Sequence, residues 1–332
     1  MGRRRLVSIF FGGGTPSLMD PDWAGEIIAA ARARFDVAPD LEVTLEANPT
    51  DAEAQRFAAF RDAGVNRLSL GVQSLDDDAL SFLGRNHDAA EARRAAEVAG
   101  QMFPRLSLDL VYALPGQSVA AWRSDLAAAL ALGPEHISAY QLTLEPGTPF
   151  HRAVERGRWA PPEPDLGAAL YETTDAVLGA AGVDAYEVSN HARGEAARSR
   201  HNLVYWRGGD YLGVGPGAHG RITTAGARWA TLTPKRIGDY VVRVLSSGCG
   251  LAERTRLTSL EAAQERLLMG LRTVEGVALT ELAALAIDPA MIATMADVGL
   301  IQSRPGRLVA TAAGRAVLDR LTLELAESAS DR

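Results

Sequence analysis

The chain has 332 residues, 47% of them apolar, and a formal net charge of -7 at neutral pH. That length exceeds one typical domain and the apolar share can bury a sizeable core, so two domains are expected. The negative balance removes any general electrostatic drive toward nucleic acid or an anionic membrane face, which favours a small-molecule or protein partner. The single cysteine, Cys249, permits no intramolecular disulfide. Met1 to Phe11 carries three arginines and one short apolar run, Leu6 to Phe11, too brief for a signal peptide. No later stretch is long and apolar enough to span a membrane, so a reducing cytoplasmic setting is expected.

In chain order, Leu6–Phe11 reads as a strand ending in glycines, and Pro21–Phe35 as a helix that Asp20 can cap. Leu41–Glu46 alternates like a strand before an Asn48-Pro49 stop, Asp51–Ala63 reads as helix and Arg67–Gly71 as strand. Helices follow at Asp76–Leu83 and Asp88–Phe103, a strand at Leu106–Val111, a helix at Val119–Leu132 and a strand at His136–Leu142. Asp165–Ala181 is then expected to be helical and Ala185–Ser189 a sixth strand. Strands alternating with helices imply a parallel sheet, and six without a reversal signal favour a barrel or partial barrel over an open doubly wound sheet.

Beyond Ser189 the text changes. Gly194–Gly220 is rich in glycine and aromatics and leads into a polar stretch to about Glu253, which reads as irregular structure. Helical periodicity returns at Thr258, Gly299–Thr311 looks like two short strands around Pro305-Gly306, and Ala312–Ala326 closes as helix. This order suggests a winged-helix-like tail; in so acidic a chain an accessory domain is favoured over a DNA reader. The domains expected are 1–190, a partial barrel; 191–253, a connecting region; and 254–332, the winged-helix-like tail.

In parallel barrels ligands collect at the carboxyl edge of the strands. Gly12-Gly-Gly-Thr-Pro-Ser17 follows the first strand, Glu46 ends the second, Gln73 follows the third, Asp109 lies near the end of the fourth, and Gln141 and Thr143 end the fifth. Five successive strands supplying such residues could offer carboxylates and carbonyls to a cationic amino group, ribose hydroxyls and a sulfonium. Singly, each has a plainer reading. The glycines are neither a Walker A loop nor a complete GxGxxG and suit a tight turn; Glu46 suits an ion pair; Asp109 suits a structural acid; Arg85 and His87 suit a solvated Gly84-Arg-Asn-His87 turn.

Taken in order, Phe11-Gly-Gly-Gly-Thr-Pro-Ser17, Glu46-Ala-Asn-Pro49, Gly64-Val-Asn-Arg67, Gly71-Val-Gln-Ser74, Leu83-Gly-Arg85 and Leu108-Asp-Leu110 carry a resemblance. The chain resembles radical S-adenosylmethionine (SAM) proteins of the oxygen-independent coproporphyrinogen oxidase group. His201-Asn-Leu-Val-Tyr-Trp206, Asp210-Tyr-Leu-Gly-Val-Gly215 and Gly217-Ala-His-Gly220 are similar to the haem chaperone (HemW) branch. The resemblance runs from Ser8 to the tail.

It implies an α/β fold: a partial TIM-like radical SAM barrel lacking its first unit, with a C-terminal helical winged-helix-like domain. By the same resemblance Gly13, Gly14 and Thr15 meet the methionine part of SAM, and Glu46, Gln73, Arg85, Asp109 and Thr143 line the rest of the pocket. His201, Asn202, Tyr205 and Trp206 match the motif linked with haem, where an imidazole suits axial iron and flanking aromatics could cover a porphyrin face. A histidine packed beside aromatics without a ligand is the plainer reading of His201; His219 and Cys249 are other candidate iron ligands. The Cys-x-x-x-Cys-x-x-Cys loop that holds the family's [4Fe-4S] cluster belongs before Leu6, and one cysteine cannot supply three thiolates. Because Glu46, Gln73, Arg85 and Asp109 persist together, Met1 reads as a truncated start rather than that of a cluster-free descendant, and the Arg3-Arg-Arg5 run as the end of a linker. For this polypeptide, reductive cleavage of SAM is expected to be absent or very weak. The function implied is haem binding for transfer to a haem-requiring membrane or respiratory protein, with no nucleic acid partner and a homodimer admitted. The alternatives are a coproporphyrinogen oxidase-like enzyme of porphyrin biosynthesis and a winged-helix regulator.

Overall fold

The computed structural model describes residues 4–327; Met1 and Arg3 lie outside them. Two compact units divide the chain, Met1–His201 and Asn202–Arg332.

The first unit is a curled half-barrel sheet of seven strands in the order β1-β2-β3-β4-β5-β7-β6. The strands are β1 (Arg5–Phe11), β2 (Asp36–Ala47), β3 (Arg67–Gln73), β4 (Arg105–Tyr112), β5 (His136–Gln141), β6 (Asp184–Ala185) and β7 (Asn190–Ala192). The first five run parallel, as the alternation predicts. The sixth does not. Where Ala185–Ser189 was expected to continue the parallel sheet, the chain folds back and β7 pairs antiparallel with both β5 and β6. The reversal is closed by Tyr186 N–H donating to the Asn190 carbonyl at 3.1 Å and by the Glu187 carboxylate, which accepts from Ser189 N–H and the Asn190 amide.

The helices are α1 (Pro21–Arg34), α2 (Asp51–Ala54), α3 (Phe57–Asp62), α4 (Asp77–Phe82), α5 (Ala89–Met102), α6 (Val119–Ala131), α7 (Pro149–Glu155) and α8 (Pro164–Ala180). Asp20 caps α1 by accepting from Asp22 N–H at 3.1 Å, and Asp88 with Glu91 forms a capping box on α5. The helix expected over Asp51–Ala63 is broken into α2 and α3. Side chains flanking the break are committed elsewhere: Glu53 accepts from Ser17 and Asn48, and the Arg56 guanidinium donates to the Ser17 and Met19 carbonyls.

Alternation along the parallel strands separates two faces. Val43, Leu45, Leu68, Leu70, Leu106 and Leu108 pack with Phe57, Phe60, Ala95 and Trp122 in one core. The intervening residues are polar: Glu42, Thr44 and Glu46 on β2, Arg67 and Ser69 on β3, Arg105, Ser107 and Asp109 on β4, His136 and Ser138 on β5. Parallel strands buried on both faces read as continuous apolar runs; here the concave face is a polar lumen. Arg67-Leu-Ser-Leu and Arg105-Leu-Ser-Leu lie side by side in register, Arg67 opposite Arg105 and Ser69 opposite Ser107.

Helix α9 (Arg200–Trp206) carries the chain across the boundary between the units. In the second unit, β8 (His219–Thr224), β9 (Ala227–Leu232) and β10 (Glu253–Arg256) form an antiparallel sheet, with α10 (Ile237–Ser247) between β9 and β10 in sequence. These regular elements stand where irregular structure was expected. The β8–β9 turn is Ala225-Gly226, both at positive φ (48° and 74°); an alanine occupies the position at which Asn or Asp usually announces such a hairpin. Farther on come α11 (Ser259–Leu271), β11 (Val277–Ala278), α12 (Pro289–Asp297), β12 (Ile301–Arg304), β13 (Arg307–Ala310), α13 (Ala312–Ala316) and α14 (Leu318–Glu327). The two strands expected around Pro305-Gly306 are present, and β11 adds a third to make the order β11-β13-β12. Among the described residues no helix is long and apolar enough to cross a membrane.

Candidate functional site

The carboxyl edge of the half-barrel gathers most of the residues singled out from the sequence. Gly13 and Gly14 follow β1 at φ 80° and 69°, a left-handed backbone that favours glycine; a Cβ on either would meet nothing within 4 Å. The glycine requirement here is therefore conformational, and the loop leaves open space in front of it. Gly13 N–H donates to Glu46 Oε2 at 3.2 Å. Burial pushes the Glu46 carboxyl above its ordinary range, and the Gly13 bond partly opposes that.

On the next strand a register shift between Leu70 and Gln73 bends the end of β3. Gly71 makes room there: a Cβ would stand 2.8 Å from Gln73 Nε2 and 3.7 Å from an Arg85 terminal nitrogen. Gln73 itself sits at φ 66°, a conformation costing a non-glycine residue about 1–2 kcal/mol. Replacing Gln73 with glycine is therefore expected to raise stability by up to about 1 kcal/mol, part of the relieved strain being offset by a looser unfolded chain; a chemical-denaturation midpoint that falls would show the backbone there to be unstrained. Arg85 donates to Asn48 Oδ1 at 2.6 Å, and Asn48 in turn donates through N and Nδ2 to Glu53 at 2.8 and 3.1 Å. Arg85 Nε is buried without a partner, and burial lowers the guanidinium's pKa.

Asp109 accepts from Ser69 Oγ at 3.0 and 3.1 Å. Burial raises its pKa to about 6, with the Ser138 and Ser69 hydroxyls pulling down and the Glu46 charge adding to the rise. The structure thus joins Gly13 to Glu46, brings Gln73 and Arg85 together over Gly71, and seats Asp109 among serines. Thr143 is exposed beyond the end of β5 and shares none of these contacts. Sequence reasoning missed Asn48, Ser69 and Ser138. For Ser69 and Ser138 the signal was the alternation itself, a serine between apolar residues on a parallel strand; Asn48 lies just past the end of β2 and has no such signal.

Farther down the lumen, Glu42 is 1% exposed and accepts from Arg105 at 2.7 Å, Arg200 N–H at 3.1 Å and His201 N–H at 3.0 Å. A carboxylate holding the first amides of α9 satisfies otherwise orphaned donors and complements the helix dipole. The His201 ring stacks on Phe10, centroids 4.1 Å apart and 16° between planes. Burial drives its pKa down to about 4, the Glu42 charge opposing and the Arg67 charge adding to the fall. Asn202 opens the second unit. Within that unit Tyr205 meets Tyr211 at 4.3 Å between centroids, Trp206 lies under the Arg272 guanidinium at 4.6 Å, and the buried Trp206 Nε1 has no partner. His219 and Cys249 are exposed.

These donor sets fit the implied cofactors unequally. A [4Fe-4S] cluster needs thiolates, the chain has one cysteine, and among the described residues no group of three His, Cys, Asp or Glu could hold a metal ion; the residues present do not fit the cluster. They do fit SAM: an open glycine loop, a half-buried carboxylate and an orphaned guanidinium nitrogen face the same edge. His201, held neutral at physiological pH, has the ring form that ligates iron.

A half-barrel with a glycine loop after its first strand and polar residues on successive carboxyl ends defines the radical SAM class of fold. The Radical SAM superfamily pattern matches residues 1–128 and the HemN C-terminal domain residues 257–317. The solved coproporphyrinogen III oxidase (HemN) of Escherichia coli superposes with a TM-score of 0.78 at 21% identity, over 97% of this chain and 78% of that one, a likeness of fold. The heme chaperone HemW of Mycobacterium tuberculosis is 38% identical over 96% of this chain and 80% of its own length, and that of Escherichia coli is 43% identical over 70% and 61%. The chain belongs to the HemW family. The bovine mitochondrial radical S-adenosyl methionine domain-containing protein 1 is 46% identical over 83% of this chain, which spans 63% of that relative's length.

Proposed function

We propose that this protein binds haem for delivery to a haem-requiring membrane or respiratory protein, acting in the cytoplasm on the scaffold of a radical SAM protein. The observation that carries the reading is His201: a half-buried, neutral imidazole whose ring rests on Phe10 and whose amide is fixed by Glu42. Fixing the backbone at the first turn of α9 orients the ring before iron arrives, so less entropy is lost on ligation. Tyr205 and Trp206 supply aromatic surface in the same motif.

The carboxyl edge is proposed to hold SAM, with Gly13, Gly14 and Thr15 toward its methionine part and Glu46, Gln73, Arg85 and Asp109 around its charged and hydroxyl groups. The role these residues would have is to bind and orient SAM at the open carboxyl edge. If the Gln73 strain serves that pocket, Gln73→Gly gains stability while losing affinity for SAM. The coproporphyrinogen oxidase reading rests on a likeness of fold at 21% identity, whereas relatives named as haem chaperones match at 33–43%.

Titration of the purified protein with haem tests the proposal. Stoichiometric binding with a Soret band characteristic of histidine ligation is expected, and His201→Ala should shift the band and weaken binding at least about tenfold, as loss of one direct iron ligand implies. An unchanged spectrum and affinity in that variant would remove His201 from the site.

A further inference from the structure

Tyr240 and Val244 are the half-buried residues of helix α10; its other nine are exposed, and among them Arg243 Nε donates to the Leu251 carbonyl. Ile237, Val241, Val242 and Leu245 are 71, 44, 66 and 81% exposed, and their spacing places them on one side of the helix. In the preceding loop Leu212 and Val214 are also exposed, and Gly215 N–H donates to Tyr240 Oη at 3.1 Å, which ties that loop to α10. Single exposed aliphatics are ordinary, but four on one side of a short helix form an apolar face of the kind that marks an interaction surface.

The charges beside the patch are as uneven as its hydrophobicity. Lys235, the one lysine of the chain, and Arg236 lead into α10, and Arg243 lies on its side away from the four aliphatics. All three are exposed, and none forms an ion pair among the described residues. Over 235–247, three cations face one acid, Asp239. A net charge of -7 describes the whole chain; here the local balance has the opposite sign.

We infer that this face of the second unit lies on an anionic phospholipid surface, with α10 parallel to the membrane plane. Ile237, Val241, Val242 and Leu245 enter the boundary between headgroups and acyl chains, and Lys235 and Arg236, at the start of the helix, sit among phosphates. An 11-residue helix is about 16 Å long and cannot span a bilayer; the surface mode is the one its length allows. A second copy of the chain fits less well. An isologous contact would set two clusters of unpaired cations against each other, and one short helix face offers less than the roughly 800 Å² per partner of a stable interface. The inference does not depend on haem binding.

Vesicle sedimentation of the whole protein decides it. The wild type is expected to pellet with vesicles of equal parts phosphatidylcholine and phosphatidylglycerol and far less with phosphatidylcholine alone. Lys235→Ala with Arg236→Ala should weaken the anionic-vesicle partition about thirtyfold, from two cations near the surface. Val242→Asp with Leu245→Asp should abolish it. Both pairs are exposed, so circular dichroism and the haem titration should be unchanged, which separates failure here from failure of the haem proposal. No pelleting, pelleting indifferent to lipid charge, or a dimer in solution that Val242→Asp dissociates would each overturn the inference, the last by assigning the face to a second copy.

Discussion

Replacing Glu42 with alanine is expected to destabilise the first unit by about 3 kcal/mol, the range found when one partner of a buried ion pair is removed. The cost has several sources. Glu42 is fully buried and receives Arg105 together with the Arg200 and His201 amides. Truncation orphans two helix-terminal N–H groups and strips Arg105 of one of its two carboxylates. Glu135 at 2.8 Å and the Arg198 carbonyl at 3.0 Å remain, which keeps the figure at the lower end for a broken buried pair. Against total stabilities of roughly 5–15 kcal/mol such a loss is large. Urea denaturation followed by circular dichroism should show an early first transition in Glu42→Ala and an intermediate one in Glu42→Gln, which keeps an acceptor but no charge. The same variant should weaken haem binding, because α9 loses the anchor that fixes His201. A shift below about 1 kcal/mol, an ordinary surface effect, would show that the carboxylate does not hold these elements together.

The sequence makes the first unit legible because its parallel strands are separated by capped helices, and each strand places alternate residues on the core and lumen faces. The carboxyl-edge residues were readable for the same reason: Glu46, Gln73 and Asp109 each fall where a lumen-facing position meets a strand end. Lower in the lumen, Glu42 and Phe10 escaped notice. Their roles come from α9, which is distant in sequence, and no local pattern announces that a helix near residue 200 will donate its first amides to β2. The sixth strand was misread because Ala185–Ser189 has strand-like composition, while its reversal is driven by Glu187 and Asn190, whose side chains close a turn that carries no glycine or proline. In the second unit the Ala225-Gly226 hairpin lacked its usual residues. Helix α10 was hidden for another reason: its apolar stripe does not face a core, and a stripe without a core partner looks like a polar loop interrupted by aliphatics.

Asp109→Asn is expected to flatten the pH dependence of stability between about pH 4 and 6. The carboxyl of Asp109 has a pKa of about 6 in the folded chain against an ordinary 3.8, so the folded state binds its proton more tightly than the unfolded state does. The stabilisation this gives is fully present below about 4 and is lost as pH rises through 6. At 1.36 kcal/mol per unit the shift corresponds to about 3 kcal/mol, which residual exposure to the lumen reduces to about 2 kcal/mol. At pH 8 the asparagine variant should therefore be the more stable by about 2 kcal/mol, provided its amide takes the Ser69 contact, and the advantage should vanish by pH 4. Glu46 titrates upward as well and His201 downward, so the quantity to follow is the difference between wild type and variant at each pH. A site that keeps a carboxylate charged at a cost in stability has a use for the charge. SAM binding by equilibrium dialysis should accordingly weaken in the wild type as pH falls through 6 and be weak at every pH in Asp109→Asn. If the variant instead binds SAM as the wild type does, Asp109 is a structural acid and the cationic end of the ligand must be met by Glu46.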